Sequence, residues 1–476
     1  MRSFSLAACL AALVLLPSCQ RAPATYTAAD QAIVTEWMNN LYGLVRVERY
    51  SPPKAARVFS YTAVTMYEAM NPGLPALKSF VGQLTELDAL PQPDPEATYD
   101  WLTVAIAAQQ TVVTYLFDGA SPPSQAQIQQ LAEVQHASRT EAGFSQAVLD
   151  RSKAHGETLG AALVEWMRGD GFHERDTIEY DHIAKYTGPQ CWLPTANSAQ
   201  NVPMMASPAT DFVSLDNSTG LDPSMASERM LLVNRPDSWL NPHSPLEPNW
   251  GGLRPLVIPQ ANVCAPPPPV EYSEEQGSAF YQEVKAVYDK SQDLSAEEIE
   301  VARYWADCPG QTGTPPGHWV QIMRQLVEQY ELDMEQTIEM YGLTGIGLQD
   351  AFISCWEEKY RSNLVRPITY IQEMWDPNWQ TVVVTPPFPE YTSGHSVVSG
   401  TAAQLLTHLF GDRPFVDRTH AWLGFGDRSF DSFNEAAIEA ADSRLYGGIH
   451  YPMAIDLGID QGRCVANNII GAVQTR

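Results

Sequence analysis

The chain has 476 residues, of which 44% are hydrophobic and 10% aromatic, enough to build a large packed core. Its formal net charge of −27 opposes binding to nucleic acid or to an anionic membrane surface. An anionic substrate would therefore need a local pocket of positive charge set against this overall field.

The N-terminus is organised like an export signal. Arg2 precedes an apolar run, 6–16, which is shorter than the roughly 20 residues of a membrane span but suits a secretory signal. The run leads into Leu-Pro-Ser-Cys at 16–19, which looks like a bacterial lipoprotein cleavage box. We expect residues 1–18 to be removed and Cys19 to be lipidated. The mature protein would then be exported to the periplasmic or cell-surface side, as an outer-membrane lipoprotein if the organism has that membrane.

Apolar residues recur at three- and four-residue spacing through most of the chain, which predicts helices. The predicted helices are Ala29–Val47, Pro53–Met70, Ala97–Phe117, Ser124–Ser138, Ser145–Arg168, Ser273–Ser291 and Ala296–Trp305. Alternating β-branched residues are scarce, and the best strand candidate is Thr-Val-Val-Val-Thr at 381–385. The pattern predicts an all-α fold of two packed helical bundles.

The segment 188–270 interrupts the helical pattern. It is rich in proline, serine and asparagine, and it ends with four consecutive prolines, 266–269. We interpret it as a long irregular connection between an N-terminal helical half, 27–187, and a C-terminal helical half, 271–476.

The cysteines beyond position 19 are odd in number, so at least one thiol must be free. They are Cys191, Cys264, Cys308, Cys355 and Cys464. An export compartment permits disulfides. Cys191 and Cys264 both lie in loop-like sequence and form the predicted pair, whereas Cys355 and Cys464 lie in helical patterns and are expected to be small buried residues.

Two cations, Lys359 and Arg366, are seven residues apart, so on a single helix they would project from one face. They continue an apolar stripe that includes Phe352 and Cys355, which predicts that they point inward. Because an unpaired buried cation is costly, a carboxylate or a bound oxyanion should meet them. Pro367 is expected to kink or end the helix.

A Ser-Gly-His triplet, 393–395, stands at the start of a predicted helix that runs to Phe410. Ser393 suits the N-cap position, and Gly394 offers a backbone N–H with no side chain in the way. The free N–H groups and partial positive charge of a helix N-terminus bind anions. The triplet could therefore add to an oxyanion site.

A third cation and a second histidine follow downstream. Arg444 lies near the end of a predicted helix, 434–446, and His450 lies in the turn after two glycines, before Pro452 opens the next helix. Together with the triplet and the first two cations, these residues predict a pocket for a tetrahedral or trigonal-bipyramidal oxyanion. Arginine suits such an anion because its fork contacts two oxygens at once.

The three segments Lys359-x6-Arg366-Pro367, Ser393-Gly394-His395 and Ser443-Arg444-x5-His450 resemble the three-part signature of the type 2 phosphatidic-acid phosphatase superfamily. This superfamily includes the vanadium-dependent haloperoxidases. The flanking stretches 304–319, 355–360, 385–395 and 444–452 look like bacterial members of the haloperoxidase branch. The resemblance covers nearly the whole mature chain and implies an all-helical fold of two packed bundles.

The resemblance also implies a role for each site residue. His450 would bond axially to vanadium, or attack phosphorus in a phosphatase, and His395 would be the acid–base residue. The oxygens of vanadate or phosphate would be held by Lys359, Arg366, Ser393, Gly394 and Arg444. Lys359 would also polarise the peroxide oxygen. Asp307 would pair with Arg444, and Trp356 and Phe388 would line the pocket.

The resemblance leaves three functions open. In a haloperoxidase, bound vanadate would activate hydrogen peroxide to oxidise a halide to hypohalous acid, which can react with a small organic acceptor. A phosphatase would hydrolyse a phosphate ester through a phosphohistidine and would need no vanadate. A lipoprotein that only binds anions is the third reading. The halide, the organic substrate and the oligomeric state are also left open.

This chain departs from the usual signature at two positions. Thr392 precedes the Ser-Gly-His triplet, where the family usually has proline. Ala454 stands four residues after His450, where the signature usually ends in an aspartate that can orient the histidine. Asp456, or a backbone carbonyl, is expected to take over that task.

Overall fold

The computed structural model describes residues 26–182, 184–194 and 245–476. The predicted export signal and Cys19 lie outside these ranges, as does the middle of the predicted connection, 195–244. Within the described ranges, no helix is both long and apolar enough to cross a membrane.

The predicted all-α class is confirmed: the described residues contain thirteen α-helices. They are α1 (Ala28–Val47), α2 (Pro52–Met70), α3 (Trp101–Leu116), α4 (Pro122–Glu141), α5 (Gln146–Arg168), α6 (Ala279–Gln292), α7 (Ala296–Tyr304), α8 (Thr314–Gln329), α9 (Met334–Ser362), α10 (Pro367–Met374), α11 (Gly394–Phe410), α12 (Phe433–Tyr446) and α13 (Pro452–Ala472).

Two short strands, β1 (Phe415–Asp417) and β2 (Arg428–Phe430), form an antiparallel pair with Phe415 opposite Phe430. The best strand candidate in the sequence, 381–385, does not form a strand. The N–H groups of Val382 and Val383 both point to the carbonyl of Gly447, so this stretch has no strand partner and forms irregular chain.

Local sequence sets most helix ends. Reciprocal capping pairs, in which each side chain accepts from the other residue's N–H, begin three helices: Thr27/Asp30, Ser295/Glu298 and Asp333/Gln336. Among the seven helices predicted above, the start differs most at α6, which begins at Ala279 rather than Ser273. Gly277 has a φ of 92°, outside the helical range, and the Ser278 hydroxyl then caps the helix.

The core joins the two halves of the chain. Every residue of α2 except Lys54 is buried, and α2 packs against α3 on one side and α9 on the other. A Cβ on Gly345 of α9 would lie 2.6 Å from the Cβ of Ala63, so glycine allows these two helices to approach closely. One continuous apolar cluster runs from Ile33 of α1 to Val473 after α13.

Helices α11 and α13 are the elements that carry the Ser-Gly-His triplet and follow His450, and they pack closely together. A Cβ on Gly400 would lie 2.7 Å from the carbonyl oxygen of Ile459, so their backbones nearly touch. The N–H of Ser393 donates to the carbonyl of Ala454 at 3.0 Å, which ties the N-termini of the two helices together. This contact brings His395 and His450 to the same place.

The disulfide predicted between Cys191 and Cys264 is wrong, and Cys264 pairs with Cys464 instead. Cys191 lies beside Leu364, where the two residues form an isolated β-bridge, and Cys264 lies against α13. The helical pattern around Cys464 was correct, but its sulfur is oxidised rather than a buried thiol. Cys355 is buried and free as expected.

Candidate anion pocket

A small cavity, with a free volume of about 40 Å³, lies where the signature segments meet. Its apolar wall includes the two aromatic residues predicted to line it, Trp356 and Phe388, together with Phe352. Its polar wall is formed by Asp307, Cys308, Gly394, His395, Arg444 and His450. The three remaining predicted site residues, Lys359, Arg366 and Ser393, lie behind this lining.

Lys359 and Arg366 do not share a helix, so the prediction that one helix face presents both is wrong. Helix α9 ends at Ser362, and Asn363 caps it in the left-handed conformation with a φ of 47°. Asparagine tolerates this conformation better than most residues, which permits the turn. Arg366 then occupies the N-cap position of α10. Both cations are fully buried, so the prediction that they point inward is confirmed.

Lys359 holds the loop that precedes the triplet. Its ammonium donates to the carbonyls of Pro389 at 3.1 Å, Glu390 at 3.0 Å and Thr392. These three bonds match the three donors of an ammonium group. Burial lowers the pKa of Lys359 to about 7. In this structure Lys359 shapes the loop, and one carbonyl would have to give way before it could bind an oxyanion.

His450 lies between Arg366 and Glu390. Arg366 Nη1 lies 3.1 Å from His450 Nε2 and also donates to the Ile449 carbonyl. On the other side of the ring, Nδ1 lies 2.8 Å from Glu390 Oε1, which also accepts the N–H of Tyr451 at 2.9 Å. Burial, followed by the nearby charge of Arg366, holds the pKa of His450 well below its usual value, so the ring is neutral.

The residue that orients His450 is therefore Glu390, and the expectation for Asp456 is wrong. Asp456 is exposed, whereas Glu390 is fully buried against the ring. Sequence reasoning missed Glu390. The signal that could have found it is the combination of Ala454, where an aspartate is usual, with a carboxylate three residues before the triplet.

The triplet takes the structure predicted for it. Ser393 is the N-cap of α11, and its hydroxyl accepts the N–H of Ser396 at 3.3 Å. A Cβ on Gly394 would lie 3.6 Å from the Trp356 ring, an ordinary contact distance. Packing within the protein therefore does not require glycine there, and the bare backbone leaves the cavity open beside the helix N-terminus.

Thr392 uses its hydroxyl where the family's usual proline has none. Its Oγ1 donates to Gln461 Oε1 at 2.6 Å, and Gln461 in turn donates to Ser354 at 3.0 Å. All three side chains are buried. This departure from the signature connects the loop before the triplet to α13 and α9, so it keeps the site in place by a different contact.

Arg444 reaches the cavity but does not pair with Asp307, so that prediction is wrong. Its guanidinium donates to the Ser443 hydroxyl at 2.9 Å and to the carbonyls of Ala302 and Trp305 at 3.2 and 2.6 Å. Three neutral acceptors leave its positive charge without a carboxylate in contact. Burial lowers the pKa of Arg444 to about 10, and burial does the same to Arg366.

Asp307 instead belongs to a buried network of imidazoles and carboxylates. Its Oδ2 lies 2.9 Å from His318 Nδ1, and its Oδ1 lies 3.0 Å from His420 Nε2. His318 Nε2 lies 2.8 Å from Asp417 Oδ2, which also accepts the hydroxyl of Tyr304 at 2.7 Å. We refer to Asp307, His318, Asp417 and His420 as the carboxylate–imidazole network.

Neither His318 nor His420 is among the site residues predicted from the sequence. His318 has a carboxylate at each ring nitrogen, so both nitrogens donate and the ring is an imidazolium. The two carboxylates outweigh the cost of burial and raise the pKa of His318 to about 10. The facing atoms of Asp307, His318 and His420 lie within 4.8 Å of one another, a spacing that a metal site also has, but here each already has a hydrogen-bond partner.

His395 lies between this network and Arg444. Its Nε2 is 4.0 Å from Asp307 Oδ2, too far for a hydrogen bond, and has no partner among the described residues. Burial, and then the charge of Arg444, holds the pKa of His395 well below its usual value. The ring is therefore neutral beside the cavity, with one nitrogen free to take up a proton.

The site as a whole has the character of an anion pocket. Three buried basic side chains and a helix N-terminus surround two neutral histidines, and within the described part of the chain Glu390 is the one carboxylate in direct contact with the ring of His450. Among the described residues, Arg366 Nη2 is a buried donor without a partner. An unpaired buried donor is costly, so the arrangement favours a bound oxyanion that accepts from it.

Comparisons with known proteins agree with this chemistry. The family model of the VCPO second helical-bundle domain matches residues 339–476, which hold all three signature segments. A vanadium chloroperoxidase of Curvularia inaequalis is 27% identical over 135 residues, but the match covers 23% of this chain and only 22% of that protein.

Solved structures extend the match to nearly the whole chain. The crystal structure of a bacterial vanadium-dependent iodoperoxidase has a TM-score of 0.77 and 33% identity, covering 93% of this chain and 96% of that one. An apo bacterial vanadium-dependent chloroperoxidase has a TM-score of 0.61 at 14% identity, covering 88% of this chain and 94% of that one, which supports the fold alone. The chain therefore belongs to the vanadium-dependent haloperoxidase family.

Proposed function

We propose that this protein is a haloperoxidase that holds vanadate between His395 and His450 and uses hydrogen peroxide to oxidise a halide. The observation that carries the proposal is the set of buried basic side chains, Lys359, Arg366 and Arg444, gathered at a helix N-terminus with no carboxylate of the described residues in ion-pair contact with them. Iodide is the first halide to test, because the similar structure at 33% identity is that of an iodoperoxidase.

The residues of the pocket suit vanadate. Arg366 has a buried Nη2 without a partner among the described residues, and Arg444 carries a charge that only neutral groups contact. Gly394 leaves space beside the helix N-terminus, where free N–H groups attract oxyanions. His450 is neutral, so its Nε2 has a lone pair to give to a metal. When bound, vanadate supplies a Lewis acid that activates hydrogen peroxide towards a halide.

The protein's own part in the reaction is to move a proton and to exclude water. His395 is neutral, so one of its ring nitrogens can accept a proton from hydrogen peroxide. Asp307, 4.0 Å away, would stabilise the imidazolium that results. The aromatic wall that includes Trp356 and Phe388 keeps the cavity largely apolar beside these charges, which strengthens every electrostatic interaction within it.

The test is to load purified protein with orthovanadate and measure peroxide-dependent oxidation of iodide, bromide and chloride. A second portion of the purified protein, to which no vanadate is added, is assayed with a chromogenic phosphate ester. We expect vanadate-dependent halide oxidation. Phosphate-ester turnover without halide oxidation would show that the pocket is a phosphatase site, and neither activity with retained vanadate binding would show an anion-binding protein.

Arg444→Ala should lose most of the heat or thermal-shift response to orthovanadate, because it removes a buried cation from the cavity wall. Arg418→Ala is the matched control, since Arg418 is exposed and paired with Asp427. Equal vanadate affinity in wild type and Arg444→Ala would exclude Arg444 from the binding site.

Replacing His450 and replacing His395 should have different effects on vanadate binding and turnover. His450→Ala should weaken vanadate binding and abolish activity, because it removes the group that bonds to the metal. His395→Ala should keep more of the binding while turnover falls by roughly 10²- to 10⁴-fold, the usual contribution of general acid–base catalysis. If folded His395→Ala loses vanadate as completely as His450→Ala, the assignment of separate roles is wrong.

We also propose export with a lipid anchor at Cys19. The disulfide between Cys264 and Cys464 supports an oxidising compartment, since such bonds are rare in the cytosol. Cys19→Ala should move the protein from the membrane fraction to the soluble fraction. Wild-type protein that already fractionates as soluble would argue against the anchor.

A further inference from the structure

The carboxylate that orients His450 comes from a different segment than in the usual signature. In that signature it lies on the histidine's own helix, at the position that Ala454 occupies here. In this chain Ala454 is fully buried at the first turn of α13 and offers no carboxylate. We infer that Glu390, on the loop before the Ser-Gly-His triplet, is the positioning residue that fixes the ring and the proton of His450.

The hydrogen bonds determine which nitrogen of His450 carries the proton. Arginine has donors but no acceptor, so His450 Nε2, 3.1 Å from Arg366 Nη1, must accept. The proton of the neutral ring is then on Nδ1, where it is donated to Glu390 Oε1 at 2.8 Å. Oε1 accepts a second bond, from the N–H of Tyr451 at 2.9 Å, and it can accept both whether the carboxyl group is ionised or protonated at Oε2.

This tautomer is the one that a metal ligand needs. With the proton on Nδ1, the Nε2 lone pair points towards Arg366 and the cavity, where a bound oxyanion would displace the hydrogen bond from the guanidinium. The second bond to Tyr451 N–H anchors the backbone next to His450, so Glu390 sets both the ring and the turn that carries it. Partners of this kind typically change metal affinity by about 10- to 100-fold when removed.

The position of Glu390 also couples the three signature segments. Its backbone N–H donates to the Leu364 carbonyl at 3.0 Å, and its own carbonyl accepts from Lys359 at 3.0 Å. A carboxylate on α13 would connect His450 only to the helix that follows it. Glu390 instead ties His450 to the end of α9 and to the loop that leads to His395.

The first test is made on the wild-type protein. Nitrogen-15 NMR of histidine-labelled protein distinguishes the two neutral tautomers of an imidazole. We expect the Nδ1–H form for His450, assigned by its loss in His450→Gln. A resonance of the Nε2–H form at His450 would overturn the inference, and this result does not depend on whether any Glu390 variant folds.

The second test asks whether a carboxylate at the usual position can replace Glu390. Glu390→Ala should weaken the binding of orthovanadate and of inorganic phosphate by about 10- to 100-fold, and adding Ala454→Asp should restore most of that loss. Glu390→Gln keeps an oxygen acceptor, so it should keep the Nδ1–H tautomer and lose less affinity. Glu68→Gln is the matched control, because Glu68 is a buried carboxylate that holds a loop elsewhere, through Ser79 and Phe80.

A purely structural role would give a different pattern. It would lower the stability of Glu390→Ala without changing anion affinity in the folded fraction, and Ala454→Asp would restore nothing; either result overturns the inference. The inference rests on the proposed function only for the identity of the metal. A wild-type protein that binds phosphate but does not oxidise halides would refute the haloperoxidase proposal and still allow both tests of Glu390.

Discussion

Replacing His318 with glutamine would remove the cation between Asp307 and Asp417 while keeping a side chain of similar size. Both carboxylates are almost completely inaccessible to solvent, with residue exposures of 3% and 0%. Tyr304 would still donate to Asp417 and His420 would still contact Asp307, but the imidazolium between the two carboxylates would be gone. Removing one partner of a buried ion pair leaves an uncompensated charge, which typically costs about 3–5 kcal/mol.

The pKa of His318 gives a second value for the free energy that this residue contributes to stability. Its folded-state pKa is about 10 and its ordinary value is 6.5, so the folded state binds the proton more tightly than the unfolded state. The resulting stability is complete below pH 6.5 and is lost as the pH rises through 10. From this pKa difference, the contribution of His318 to the free energy of unfolding is about 4 kcal/mol at pH 7 and about 1 kcal/mol at pH 9.5. At pH 7 this contribution lies within the range of about 3–5 kcal/mol that breaking a buried ion pair typically costs.

The assay is urea denaturation of wild type and His318→Gln from pH 7 to pH 9.5. Lys359 contributes the opposite slope over part of this range, because burial lowers its pKa to about 7 and its contribution to stability grows as the pH rises towards 10.5. Both proteins contain Lys359, so its contribution cancels when the free energy of unfolding of one protein is subtracted from that of the other. The remaining difference is the contribution of His318. We expect His318→Gln to be less stable at pH 7 by about 4 kcal/mol, with the deficit shrinking towards pH 9.5.

His136→Gln is the control. Burial lowers the pKa of His136 to about 4, so its contribution changes between pH 4 and 6.5 and is constant above that range. The difference in unfolding free energy between His136→Gln and wild type should be constant from pH 7 to 9.5. A His318→Gln deficit below about 1 kcal/mol at pH 7, or one that grows with pH, would refute the assignment of an imidazolium between two carboxylates.

Two further predictions concern stability. The Cys264–Cys464 disulfide closes a loop with a sequence separation of 200 residues, so Cys264→Ser with Cys464→Ser should cost up to about 5 kcal/mol of unfolding free energy, measured by urea denaturation. Cys191→Ser, which removes a free thiol, should have little effect, and a comparable loss there would contradict the pairing. Thr392→Val removes the donor to buried Gln461 and should cost about 1–3 kcal/mol in the same assay. An unchanged midpoint would show that this contact does not hold the loop.

The amino-acid sequence determined those features whose causes lie within a few residues. Helix ends followed capping residues, as at Ser393 of α11 and Pro452 of α13, because a side chain or a missing N–H one turn away decides where a helix can begin. The inward direction of Lys359 could be predicted from the phase of the apolar stripe, whereas Arg366 is buried from the N-cap position of the next helix. The order and spacing of the signature segments were enough to predict the family.

Tertiary structure decided the features that depend on which distant segments meet. The partner of Cys264 is Cys464 rather than Cys191, because a disulfide requires proximity, and spacing along the chain does not report it. Asp307 bonds to His318 and His420 rather than to Arg444 for the same reason.

Glu390 illustrates the limit most clearly. From the sequence, Ala454 looked like the loss of a carboxylate next to His450. The packing of α11 against α13 brings the loop before the triplet to the ring, and a carboxylate sixty residues away in sequence supplies the missing acceptor at 2.8 Å. A hydrogen bond depends on the distance and direction between two atoms, so a loop residue can supply the acceptor that the sequence signature would place on a helix.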